Sequence, residues 1–128
     1  MSGAHRFTKR EAVAIHDASI ARFGGLAGVR DEGLLESALA QPWQTFGGRD
    51  LYPSDVEKVC RLAFGVICDH PFVDGNKRAG TAPLGAGLRM AGFDFEPRHD
   101  ELLQTMLSIA DGSLGFEGLV RWVKSVVG

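Results

Sequence analysis

The chain has 128 residues, 45% hydrophobic and 23% charged, which suits one ordinary globular domain with a core of its own. A formal net charge of −2 argues against a general nucleic-acid binder, so no direct nucleic-acid partner is expected. No apolar run approaches the length needed to cross a bilayer, so no membrane partner is expected either.

From the N-terminus, Met1 to Lys9 leads into no apolar stretch of the kind a secretory leader carries, so none is expected. Thr8-Lys9-Arg10-Glu11 fits a capping box, in which the hydroxyl and the carboxylate each take a backbone N–H that a first helical turn leaves over. The helix it opens is expected to reach about Phe23, with Ala12, Val13, Ile15, Ile20 and Phe23 inward and Gly24-Gly25 as its stop. His16 and Asp17 within it suit a buried hydrogen-bonded pair, and His5 a mobile terminus. Asp31 can cap a shorter helix through Ala40 with Leu34, Leu35, Ala38 and Leu39 inward, ended by Pro42. Gln41 to Pro53 has little period and holds Gly47-Gly48; a loop or short hairpin is expected there, anchored by Trp43, Phe46 and Tyr52.

Ser54-Asp55-Val56-Glu57 is a second capping box. Its helix should reach about Asp69 and be the most buried, with Val56, Val59, Cys60, Ala63, Val66 and Ile67 at helical spacing. Cys60 and Cys68 are eight positions apart on it, too far along the axis for a disulfide, so both are expected as buried thiols in a reducing cytoplasm. The next helix, Asn76 to about Ala91, holds Pro83 in its interior, a position that costs about 3 kcal/mol in an ordinary helix. Together with Gly80, Gly85 and Gly87 it predicts either a kink near Ala79 to Pro83 or close packing through small residues. Phe93 to Phe95 should be extended and His99 should lie in a loop. Asp100 is expected to cap a helix to about Ala110, and Ser113 a last one through Val127. The fold class expected is all-α, a compact single-domain bundle of about six helices over residues 1–128.

The stretch His70-Pro71-Phe72-Val73-Asp74-Gly75-Asn76-Lys77-Arg78 joins the two central helices and carries the chemistry. Lys77 and Arg78 fall in the first turn of the second helix, where the helix dipole is already positive and backbone N–H groups lack partners. Two more cations there make sense if an anion, phosphate above all, occupies the place. Asp74 can hold a hard cation such as Mg²⁺ beside it, and His70 can take a proton from an attacking hydroxyl. Taken singly the same residues read otherwise: a histidine at a helix C-terminus, an Asp-Gly turn, an Asn N-cap and a solvated Lys-Arg face. Those readings together leave the cations at the helix start unexplained.

The pattern His-x-Phe-x-Asp-Gly-Asn-Lys-Arg strongly resembles the Fic/Doc family, and within it the Doc (death-on-curing) toxin branch. Upstream, Ile15-His16-Asp17, Phe23-Gly24-Gly25-Leu26, the run from Gly28 to Leu39, and Gln44-Thr45-Phe46-Gly47-Gly48 resemble it too, so the likeness spans roughly Ile15 to Phe95. It implies a small all-α fold with the motif between two central helices. Many Fic members transfer AMP from ATP to a protein hydroxyl, with Gly after the motif Asn and a second Arg three residues beyond the first. Here Lys77 and Thr81 stand at those places, and both departures point to the Doc branch. That branch implies a kinase-type phosphotransferase that uses ATP with Mg²⁺, turned end for end relative to Fic enzymes, so that the γ-phosphoryl moves to a threonine of elongation factor Tu. It also implies a Phd-type antitoxin as partner.

By matching position, the resemblance makes His70 the base, Asp74 the Mg²⁺ ligand, Gly75 and Asn76 part of a backbone phosphate cradle, and Lys77 and Arg78 the cations on the transferring phosphate. Phe72 is expected as a core anchor, and Arg30, Asp31 and Glu32 as plain helix-start charges. Ser113 to Gly118 fits the pattern of a self-inhibitory Fic helix, which we read as chance because Thr81 replaces the arginine such a glutamate pairs with. The alternatives are an AMP-transferring Fic enzyme and a catalytically silent antitoxin-binding module.

Overall fold

Both capping boxes form. Thr8 Oγ1 accepts the Glu11 N–H at 3.1 Å and the Glu11 carboxylate accepts the Thr8 N–H at 2.9 Å, opening α1 (Lys9–Phe23). Ser54 and Glu57 exchange the same pair of bonds at 3.1 and 3.3 Å and open α3 (Asp55–Asp69). Between them, Asp31 caps α2 (Glu32–Ala40) by accepting the Leu34 N–H at 3.0 Å. After α3 come α4 (Asn76–Met90), α5 (His99–Ala110) and α6 (Phe116–Val127). This computed structural model describes residues 3–128, so the part of the leader reading that rests on Met1 and Ser2 falls outside the described residues. The fold is all-α with six helices and one very short hairpin among the described residues, and no helix there is long and apolar enough to cross a membrane.

The core is built on α3. One apolar cluster joins Val56, Val59, Cys60, Ala63 and Ile67 of α3 to Leu84 and Leu88 of α4, Met106 and Ile109 of α5, and Leu119 and Val123 of α6. A second joins Leu62 and Val66 to Leu35 and Ala38 of α2, Phe7, Phe72 and Ala79. Among the described residues, α3 and α4 make the most extensive contact between elements. A methyl group at Gly80 would lie 2.7 Å from Ile67 Cγ1 and 2.9 Å from the Ala63 carbonyl oxygen, and one at Gly87 would lie 3.0 Å from Val59. Helix α4 runs continuously through buried Pro83, and the close packing through small residues expected of this helix is realised at Gly80 and Gly87. Near approach of the two backbones yields van der Waals contact that offsets what proline and glycine cost in helix propensity.

Several expectations change. Helix α1 buries only His16, and Phe23, expected inward, is exposed, because α1 is an outer helix packed along one side on α4. His5 bonds the Glu11 carboxylate at 2.9 Å and meets Phe7 edge-on, so it is held in place. The Thr8 backbone N–H and His5 together hold the Glu11 carboxyl below the usual carboxylate range. Helix α5 starts two residues early, with His99 inside it and no side-chain cap at Arg98; Asp100 sits in its first turn, where the dipole favours it. Helix α6 starts at Phe116 after Gly115. Ser113 instead closes the end of α5, its hydroxyl donating to the Ser108 carbonyl at 3.2 Å and its N–H to Asp111 Oδ1 at 2.8 Å.

The hairpin pairs β1 (Thr45–Phe46) with β2 (Arg49–Asp50). It is tied down by Lys58, a buried lysine of α3 whose Nζ donates to Asp50 Oδ2 at 3.1 Å and to the Tyr52 carbonyl, over the face of Trp43. Trp43 and Tyr52 do anchor this segment; Phe46 does not, being 81% exposed at the tip.

The two thiols part company. Cys60 is fully buried, and burial pushes its thiol up to about 12. Cys68 is exposed, which corrects the expectation that both would be buried, since the eight-residue step turns it off the core face of α3. Alkylation of the native protein at pH 8 is expected to give one adduct, on Cys68, and two after denaturation; native labelling of Cys60 at the same rate would refute the burial. A raised folded value means that the Cys60 contribution to stability is complete below the ordinary thiol value of 9.0 and declines as pH rises from there towards 12.

Candidate active site at the α3–α4 turn

His70 ends α3 in the left-handed conformation, with φ 50° and ψ 57°, and among the described residues it is the one non-glycine with positive φ. For a side chain with a Cβ that conformation costs on the order of 1–2 kcal/mol. It stops the helix, turns the chain into Pro71 and leaves the imidazole exposed. Pro71 and Phe72 then drop into the core, and Val73 and Asp74 return to the surface. Gly75, at φ 70°, is the cap of α4, and a methyl group there would press on Ile20 at 3.3 Å.

Asn76 is the staple of this turn. Its Oδ1 accepts the Phe72 N–H and its Nδ2 donates to the Phe72 carbonyl, both at 3.0 Å and both buried. The sequence reading gave Asn76 to the phosphate cradle through its backbone; its side chain has this second task. Phe72 is the core anchor expected, stacked on His16 with ring centroids 4.0 Å apart. His16 Nε2 donates to the Asp74 carbonyl at 2.7 Å. The expected His16–Asp17 pair does not form: Asp17 is exposed, and the histidine spans 58 residues to the motif instead.

The segment between α1 and α2 straps the turn from the other side. Val29 and Phe72 form an antiparallel bridge, Val73 N–H donates to the Gly28 carbonyl at 3.0 Å, and the N–H groups of Arg30 and Asp31 donate to the Pro71 carbonyl at 2.7 and 3.0 Å. Arg30 adds its side chain: Nε donates to the His70 carbonyl at 2.7 Å and Nη2 to the Asp69 carbonyl at 2.9 Å. Sequence reading missed this contact. The one signal available was that Arg30 lay in an upstream run that also resembled the family.

Asp74 is exposed and held by two amides, Oδ1 accepting the Gly75 N–H at 2.8 Å and Oδ2 the Leu26 N–H at 3.2 Å. Gly25 stands so close that a methyl group there would lie 2.8 Å from Oδ2. Each carboxylate oxygen keeps a lone pair for a hard cation. Among the described residues no cluster of three metal-ligating side chains forms. A single carboxylate fits Mg²⁺, which is commonly held by one or two carboxylates with substrate phosphates completing its shell. Gly75, expected to offer its N–H to phosphate, gives it to Asp74 in this state.

The ladder of α4 begins with the Ala79 N–H donating to the Gly75 carbonyl at 2.9 Å, so the N–H groups of Asn76, Lys77 and Arg78 precede it and point out of the helix start. Lys77 is exposed. The Arg78 guanidinium lies 4.1 Å from the centroid of exposed Phe23, a cation–π contact that stations it at the end of α1. One turn thus carries an exposed imidazole, an exposed carboxylate, two cations and three unladdered amides, a set suited to phosphoryl chemistry.

Residues 6–84 match the sequence model of the Fic/DOC family. The chain is also 36% identical over 96 residues to a protein named Toxin Doc from Mycolicibacterium smegmatis, a match that covers 72% of this chain and 74% of that one. Sequence model and relative together cover the whole α3–α4 turn and its strap, and the chain belongs to the Fic/DOC family.

Proposed function

We propose that this chain is the toxin of a type II toxin–antitoxin system, a phosphotransferase that moves the γ-phosphoryl of ATP onto a threonine hydroxyl of elongation factor Tu and so stops translation. The observation that carries this reading is the exposed His70 imidazole, set by a left-handed corner in the same turn as Asp74 and the Lys77–Arg78 helix start. The name of the Mycolicibacterium relative supports a toxin with an antitoxin partner of some kind, and in this proposal that partner is of the Phd type. On this reading His70 accepts the threonine proton as the hydroxyl oxygen bonds to the γ-phosphorus. The bond to the β–γ bridging oxygen breaks, and ADP leaves with that electron pair. Lys77, Arg78 and the α4 amides hold the phosphate oxygens. Mg²⁺, with Asp74 among its ligands, would neutralise phosphate charge.

The test is incubation with Mg²⁺, elongation factor Tu and ATP labelled on the γ- or the α-phosphate. Label from the γ-position on the factor is expected. Label from the α-position would make the chain an AMP transferase, and none from either would sink both readings. Two features favour a catalytically silent antitoxin-binding module: the Gly75 N–H is spent on Asp74, and Arg78 rests on Phe23. Growth arrest that survives His70→Ala would establish that second reading.

A further inference from the structure

The geometry points to Arg30 as a positioning residue for His70, a residue that touches no substrate and fixes where the base stands. This rests on the reading of His70 as base. The guanidinium reaches across from the segment before α2 and donates to the carbonyls of both Asp69 and His70. Those are orphan carbonyls at the negative end of α3, which a helix ending in a left-handed residue turns outward. The planar fork of an arginine satisfies two oxygens at once, and a lysine would satisfy one. The His70 carbonyl is pinned while φ is held at 50°, a value that a residue with a side chain leaves readily when it can.

No other side chain among the described residues bonds the His70 backbone; its N–H donates only to the Val66 carbonyl at 3.3 Å, a long helical bond. The strap itself does not need the guanidinium, because the Arg30 and Asp31 N–H groups bond Pro71 through the backbone. Replacing Arg30 therefore removes the grip on His70 and leaves the strap in place. Arg30 is exposed and packs in neither core cluster, so its loss should spare the fold.

The experiment compares wild type, Arg30→Lys and Arg30→Ala in γ-phosphoryl transfer, with kcat and KM for ATP measured separately, alongside thermal melting and hydrogen exchange at the His70 amide. For Arg30→Ala we expect kcat to fall about 10- to 100-fold, the cost of a base displaced by roughly an ångström. KM for ATP should hold, because Lys77, Arg78 and the α4 amides are untouched, and Arg30→Lys should recover part of the loss. Exchange at the His70 amide should quicken with little change in melting. Wild-type kcat in Arg30→Ala, or a loss matched by a loss of folded protein, would overturn the proposal. If wild type transfers no label at all, the kinase reading fails, and the His70 amide then decides: unchanged exchange in Arg30→Ala overturns the positioning role, and faster exchange upholds the structural half of it.

Discussion

His70→Ala is expected to lower γ-phosphoryl transfer by about 10²–10⁴-fold, the usual worth of a general base, while the protein stays folded. The imidazole is exposed and no hydrogen bond joins it to another described residue, so its removal opens no cavity and strands no buried partner. Alanine keeps a Cβ at a left-handed position, so the backbone cost stays about as it was. Binding of ATP should be nearly unchanged, because phosphate is held at the other end of the turn. The measurement is single-turnover transfer beside equilibrium nucleotide binding. Loss of both together would mean that the turn had rearranged, and loss of neither would remove His70 from the mechanism.

Asn76→Ala should act on the opposite quantity. It leaves both the N–H and the carbonyl of buried Phe72 without partners, each worth roughly 1–3 kcal/mol when stranded. Local re-pairing recovers part of that, so a net loss of about 2–4 kcal/mol is expected in urea unfolding. That is a large share of the 5–15 kcal/mol a domain of this size normally has. Asn76→Asp is not a rescue, since it keeps the acceptor for the N–H and sets a negative oxygen against the Phe72 carbonyl. A loss below about 0.5 kcal/mol for Asn76→Ala, the range of an ordinary surface change, would show that the staple does not hold the turn.

Much of the frame was legible because its signals are local. Thr8 with Glu11, Ser54 with Glu57, and Asp31 before α2 each work within one turn of chain, and all three helices start where those residues place them. The periodic apolar face of α3 was legible for the same reason. Asp100 and Ser113 misled because a polar side chain near a helix start has other uses: Asp100 serves the dipole from inside the helix, and Ser113 closes the helix before it. Phe23 misled because periodicity marks a face without saying what lies opposite. The site residues announced themselves as a contiguous motif, and the motif residues share one turn. What the motif omits is non-local. Arg30 reaches the His70 carbonyl across 40 residues, His16 reaches the Asp74 carbonyl across 58, and the Leu26 N–H reaches Asp74 across 48. No pattern within a short window encodes such pairs.

The antiparallel strap has a consequence for anyone who would move this chemistry elsewhere. Grafting residues 70–78 between two helices of an unrelated scaffold would carry the reactive groups and abandon three of the hands that hold them. Phe72 would lose its β-partner Val29, Asp74 its Leu26 amide and the methyl-free neighbour at Gly25, and the corner at His70 its guanidinium clamp. The smallest portable unit is therefore discontinuous. It takes in α1 from His16 onward and the crossing segment through Asp31 as well as the motif, and a designer would have to transplant both pieces in register.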